Sequence, residues 1–305
     1  MIHLPDIGVG CAALSIGSKE IDDDSAVDLL VHAYERGVRY FDVAPLYGGG
    51  RGEVLLGRAL ALMSGSAIIS TKVGYSGAIP YGGRQAPEDR RKDFSSAAIE
   101  RSITDSLRRL NRESVDIVFL HDPTSDIAVI TKEALPTLER MREQGLIHSI
   151  GLGTANIVTA NEMLDYFPLS CLLLAGRWTL IDRSGQPVIE RCRIQGVQII
   201  AGGVFNSGLL ALDRPLNGGM FDYAPAPARM IELAAEAQQM CMASGLTLKA
   251  AAVQFPRSRS GVGTTLLGPR TKREFDELLT LLGLPIEQSL WDNLDQLAAW
   301  NAGPE

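Results

Sequence analysis

The stretch FDVAPLYGGGRGEVLLGRAL, residues 41–60, decides the architecture of this chain. A short apolar run, residues 38–41, stops on Asp42; Tyr47 follows inside a glycine-rich turn, and residues 53–60 read as the start of a helix. A strand that passes through such a turn into a helix is one βα unit, with the turn at its rim.

Outward from this unit the same alternation repeats. Strands are expected at residues 7–13, 38–42, 67–71, 115–120, 149–153, 171–178, 197–201 and 265–267. Between them lie helical patterns. Val27, Leu30, Ala33 and Tyr34 share one face, as do Ile99, Ile103, Leu107 and Leu110. Gly145 is placed to end a helix over 131–144 in the left-handed C′ position. Eight parallel units favour a closed α/β barrel, the (β/α)8 TIM barrel, in a single domain covering 1–305, with a helix over 286–300 left over. GVGCAA at 8–13 matches the dinucleotide fingerprint G-x-G-x-x-A, but few residues precede it and no helix is expected to open on it, so a Rossmann reading is set aside.

The 305 residues carry a net charge of −7 and no basic block, which argues against nucleic acid or an acidic membrane as partner. Four cysteines without CxxC spacing read as free thiols of a cytoplasmic protein. No run of about 18 apolar residues is present to span a membrane, and the start lacks the pattern of a signal peptide. The expected partner is a small molecule, and no stretch announces an oligomer interface.

In a barrel of this kind the C-terminal strand ends face the active site. Asp42 and Tyr47 follow strand two, Lys72 ends strand three and His121 ends strand four. Taken singly, each has a plain reading: a loop cap, a rim aromatic, a solvated strand end, a turn residue. Together they form a proton relay. A nearby ammonium favours phenolate, so Lys72 is expected to make Tyr47 a general acid or base, with Asp42 holding the lysine and His121 donating to a reacting oxygen. His121-Asp122 lacks a third ligand by spacing, so no metal is expected. G-x-S-x-G, S-x-x-K and Walker motifs are absent. Arg101, Arg108 and Arg109 read as the solvated face of their helix.

With these residues in view, the chain resembles the aldo-keto reductases. The pieces that carry the resemblance are FDVAPLYGGGRGEVLLGRAL, STKVG at 70–74, VDIVFLHDP at 115–123, GLGTAN at 151–156, LLLAGRWTL at 172–180, GGVFNSGLL at 202–210 and LLGPRTKREFDELL at 266–279. The resemblance implies a catalytic tetrad of Asp42, Tyr47, Lys72 and His121 and hydride transfer to or from NAD or NADP. It also implies a cofactor lying across the mouth. Gly10, Cys11 and Ala12 would line the first strand end, Trp178 would stack on the nicotinamide, and Thr154 or Asn156 would hold its carboxamide. Gly203, Val204, Phe205, Asn206, Gly208 and Leu210 would meet the pyrophosphate. Gly268, Arg270, Glu274 and Glu277 would hold the adenosine half. Glu274 stands where NADP-preferring members place an arginine, which favours NAD, although Glu274 also reads as an ordinary first-turn acid. Gly52, where a serine is usual, is expected to loosen its turn.

Within the family the HDP, AGRWTL and GGVFNSGLL segments are similar to bacterial dehydrogenases of L-fucose, D-threo-aldoses and L-galactose. That likeness implies oxidation of a sugar hemiacetal at C1 to a lactone. Pyridoxal 4-dehydrogenase and general aldehyde or ketone reductase are the alternatives, and a cofactor-binding regulatory subunit like a channel β subunit is the alternative from another class.

Overall fold

The computed structural model describes residues 2–15, 21–76, 91–123, 126–212, 219–259 and 261–299. Eight parallel strands, each hydrogen-bonded to its neighbours in the chain, close into a barrel as the eighth pairs with the first. They are β1 Ile7–Gly10, β2 Tyr40–Asp42, β3 Ile68–Val73, β4 Val115–His121, β5 Ile147–Thr154, β6 Cys171–Ala175, β7 Gln198–Gly202 and β8 Thr264–Leu267. The (β/α)8 fold is thus the one expected from the sequence.

Around it pack α1 Asp23–Glu35, α2 Arg51–Leu62, α3 Ser96–Leu110, α4 Leu135–Glu143, α5 Ile157–Tyr166, α6 Gln186–Gln195, α7 Ala228–Ala243, α8 Leu248–Ser258, α9 Lys272–Leu282 and α10 Gln288–Ala299. Local chemistry sets their ends. Asp22 caps α1 by accepting from the Ser25 N–H at 2.8 Å, and Thr247 and Thr271 cap α8 and α9 in the same way. Gly145 takes φ 76° past the end of α4, as its position in the sequence predicts.

Two expectations fail at the strand ends. β6 stops at Ala175, because Gly176 turns the chain at φ 70° and residues 176–178 leave the sheet. A helical turn, Ala12–Ser15, does open after β1, but the closed barrel leaves no Rossmann unit for it to belong to. In the loop after β3, Tyr75 and Ser76 pair antiparallel with Lys92 and Arg91, and residues 77–90 lie outside the described residues.

Tyr40, Ile117, Phe119, Cys171, Leu173, Ile200 and Leu266 fill the barrel, with Leu4 packed among them. Gly151 and Gly8 make room: a Cβ at either would come within 2.6 Å of Phe119 or Tyr40. Side chains alternate along a strand, so the next inward position above this plug is Gly10 on β1, Asp42 on β2, Lys72 on β3, His121 on β4, Gly153 on β5, Ala175 on β6 and Gly202 on β7. One half of the rim is charged or polar and the other half is nearly bare backbone.

Candidate active site

The barrel places four of the sequence-predicted residues together. Lys72 Nζ donates to Asp42 Oδ2 at 2.6 Å and to the Val43 carbonyl at 3.0 Å. Asp42 and Lys72 are each under 4% exposed, so the pair is dry and held in one geometry. Ser70, two residues before Lys72 and so on the same face, donates to Asp42 Oδ1 at 2.7 Å and shares a hydrogen bond with the Tyr40 hydroxyl. Ser70 was legible from the period-two alternation of β3 and was missed because it carries no charge.

Tyr47 leans over this pair. Its ring centroid lies 4.7 Å from Lys72 Nζ and 6.2 Å from the His121 ring, edge to face at 90°. Burial pushes the phenol well above its ordinary value; the Asp42 charge, and then Tyr223, Asp122 and Cys11, push the same way. This corrects the expectation that Lys72 draws Tyr47 toward phenolate. The ammonium faces the ring and is already matched by Asp42, so desolvation decides the outcome. Tyr47 is held as a protonated phenol, with His121 beside it, and Tyr75 meets the His121 ring edge to face at 5.1 Å.

Beyond the tetrad the sequence reading was mixed. Cys11 is buried, and burial pushes its thiol far above the ordinary range; its N–H bonds to the Asp42 carbonyl at 2.8 Å, so it supports β2 rather than reacting. A Cβ at Gly10 or Gly153 would meet its neighbours at 3.5 Å or more, ordinary contact, and Ala12 begins the turn beside Gly10. Val204 and Leu210 bury their side chains and present only backbone, while Phe205 is half-buried. Around them Gly203, Asn206, Ser207 and Gly208 all take left-handed φ, and Asn206 Oδ1 is buried without a partner. Three of these, Asn206, Ser207 and Gly208, are consecutive, and the Asn206, Gly208 and Leu210 N–H groups bond carbonyls of the loop itself, so the turn is held tight by its own backbone.

Trp178 is placed elsewhere. Because β6 ends at Ala175, the indole swings into the helical layer, donates to the Pro256 carbonyl at 3.3 Å and packs 5.2 Å from Phe255. It forms part of the α8 and α10 contact and offers no platform at the mouth. Asn156 Oδ1 is spent capping α5, bonding the Val158 and Thr159 N–H groups, and the buried Thr154 hydroxyl accepts from the Asn156 N–H. Glu274 accepts from the Arg270 N–H at 2.7 Å, closing the start of α9. Glu277 points to α8, where it pairs with Lys249 at 2.8 Å. Arg270, Thr271, Lys272 and Glu274 line a cleft of about 530 Å³ against Asp22, Ser25 and Asp28 of the α1 entry, and Gly268 is exposed nearby.

Two further expectations are corrected. Gly52 does not loosen its turn: a Cβ there would meet Ser15 Oγ at 2.9 Å, so glycine admits the segment after β1. Arg109 is no member of a solvated face, since it bonds the buried Glu53. Sequence reasoning also missed Arg177. It bridges the Ala155 carbonyl, Asp182 and Asp222, and so ties three loops of the mouth together. Among the described residues no group of three or more His, Cys, Asp or Glu is poised to hold a metal, and no helix is long and apolar enough to cross a membrane.

Comparison with known proteins bears on the family and the fold. The Aldo/keto reductase family profile matches residues 6–299. D-threo-aldose 1-dehydrogenase of a Pseudomonas species is 30% identical over 308 residues, covering 96% of this chain and 94% of the relative. Pyridoxal 4-dehydrogenase of Microbacterium luteolum is 32% identical over 318 residues, covering 94% and 92%. An aldo-keto reductase structure from Bacillus halodurans superposes with a TM-score of 0.80 at 23% identity, covering 97% of this chain and 93% of that one. The chain belongs to the aldo/keto reductase family and is an NAD(P)-dependent oxidoreductase acting on alcohol or aldehyde groups.

Proposed function

We propose that this enzyme oxidises the C1 carbinol of a cyclic sugar hemiacetal to the lactone, with Asp42, Tyr47, Lys72 and His121 as its catalytic residues. The observation that carries the reading is the rim itself: the buried Asp42–Lys72 pair, Tyr47 above it and His121 beside it, facing the bare positions Gly10, Gly153, Ala175 and Gly202. A nicotinamide bound across those positions supplies a hydride acceptor. Gly203 to Leu210 would hold its pyrophosphate, and the cleft between α1 and α9 the adenosine end.

The residues then divide the work. His121 donates to the substrate oxygen and fixes it near Tyr47. Tyr47 takes the C1 hydroxyl proton as the hydride leaves C1, and the reverse reduction uses the same phenol as acid. Because burial holds the phenol protonated, reduction proceeds at neutral pH, and oxidation rises toward alkaline pH as the phenolate fraction grows. The buried ion pair keeps the Lys72 charge fixed beneath the Tyr47 ring in both directions.

The resemblance to pyridoxal 4-dehydrogenase supports a second reading, oxidation of pyridoxal as its internal hemiacetal. One experiment separates the readings: formation of reduced cofactor from L-fucose, D-arabinose, L-galactose and pyridoxal, each with NAD and NADP. Tyr47→Phe should lower turnover roughly 10²- to 10⁴-fold while cofactor affinity stays within about twofold. Near-wild-type turnover in Tyr47→Phe would sink the proton-relay assignment. Tight cofactor binding with no turnover on any substrate would favour the regulatory-subunit reading.

A further inference from the structure

Asp122 follows His121 at the end of β4 and does not behave as a simple turn residue. Its φ is +44°, a left-handed conformation that a side chain adopts at some cost. The conformation is enforced from both sides: the Asp122 N–H bonds the Gly153 carbonyl at 2.8 Å, extending the β4–β5 ladder by one residue, and Pro123 then ends the strand. The result aims a half-buried carboxylate along the mouth beside His121 instead of away from the barrel.

That carboxylate is weakly held. Oδ1 accepts from the Ala155 N–H at 3.4 Å and Oδ2 from the Tyr75 hydroxyl at 3.5 Å, both at the outer limit of a hydrogen bond. No ion pair to Asp122 occurs among the described residues, in a protein whose other mouth carboxylates, Asp42 and Asp222, are paired with Lys72 and Arg177. Tyr75, whose hydroxyl reaches Asp122, also lies edge to face with the His121 ring at 5.1 Å, which sets the carboxylate and the histidine on one wall of the mouth. A carboxylate with spare lone pairs, one residue beyond the group that binds the substrate oxygen, is a receptor for a hydroxyl donor.

We propose that Asp122 is a specificity-determining residue whose carboxylate accepts a hydrogen bond from the hydroxyl on the carbon adjacent to the one oxidised. The inference rests on the hemiacetal reading given above. A substrate with that hydroxyl makes a charge-assisted bond; one without it leaves the carboxylate dehydrated and unmatched, which is the stronger basis for selection.

D-arabinose and 2-deoxy-D-ribose differ only in this hydroxyl, so the ratio of their kcat/KM values reads the contact directly. The wild-type enzyme should prefer D-arabinose by about 10- to 100-fold. In Asp122→Asn the preference should fall to within about threefold, through loss on D-arabinose alone. Asn tolerates the left-handed backbone, and Asp122→Gly, which removes both side chain and strain, should lose the preference while its unfolding temperature does not fall. If Asp122→Asn keeps the wild-type preference, or slows both sugars equally, the inference is overturned and the hemiacetal reading stands. If the wild-type enzyme oxidises neither of these sugars nor L-fucose or L-galactose, the reading and the inference fall together.

Discussion

Arg109 on α3 donates its Nε to the carboxylate of Glu53 on α2 at 2.6 Å, and Glu53, fully buried, also accepts from the Thr71 hydroxyl of β3 at 2.6 Å. This contact fastens two helices to the strand that carries Lys72. Removing the arginine leaves a buried charge with only a hydroxyl for company. Arg109→Met should cost about 3 kcal/mol in urea unfolding, and adding Glu53→Gln should recover part of it. A loss below about 0.5 kcal/mol would mean the pair is no stronger than a surface one.

Stability should fall on the alkaline side. Burial pushes Cys171 and Cys192 up to about 12 and Cys241 up to about 11, with Cys11 higher still, and burial also raises the phenols of Tyr40 and Tyr47. Each group loses its proton more easily in the unfolded chain. Its contribution is therefore complete below the unfolded value, near 8.5 for thiols and 10 for phenols, and is lost as pH rises toward the folded value. Urea midpoints should be level from about pH 7 to 8.5 and then decline, with Cys171→Ala lessening the slope by up to about 1.4 kcal/mol per pH unit. A profile level to pH 10.5 would contradict this.

Arg177 holds the short hairpin in which Met220–Phe221 pairs with Ala224–Pro225. Asp222 at its tip meets the guanidinium, the Tyr223 N–H bonds Ser207 Oγ at 2.9 Å, and the Tyr223 side chain is 87% exposed. Arg177→Lys cannot reach Ala155, Asp182 and Asp222 at once. Chymotryptic cleavage at the hairpin should accelerate about tenfold in Arg177→Lys and Asp222→Ala alike. Equal cleavage rates in wild type and variants would show that the hairpin is held by other contacts.

The cleft between α1 and α9 bears on cofactor choice. Lys272 is paired with Asp28 at 3.1 Å, and Asp22 and Glu274 add negative charge to the same walls. If the adenosine end lies there, a dianionic 2′-phosphate would meet three carboxylates, Asp22, Asp28 and Glu274, against the two cations Arg270 and Lys272, an excess of one negative charge that would disfavour NADP. Asp28→Asn should strengthen NADP binding about fivefold at low salt and leave NAD within about twofold. Fluorescence titration with both cofactors checks it; equal effects on the two would mean that the 2′-phosphate lies elsewhere.

The sequence alone determined the barrel and the four polar strand ends. Both are local properties. A strand's alternation decides which residues point inward, and the glycine-rich turn after Asp42, the lysine at 72 and the His-Asp-Pro at 121–123 each mark a strand end within a few residues. The tertiary structure decided everything that depends on neighbours distant in the chain. Trp178 left the mouth because β6 ended three residues early and Phe255 and Pro256 received it. Arg109 became an internal tie because Glu53, 56 residues away, was buried against it. The proton affinity of Tyr47 was the largest reversal. The sequence offered a lysine as the nearest charge, but in the folded chain that charge is balanced by Asp42 and faces the ring, and the loss of water around the phenol outweighs it.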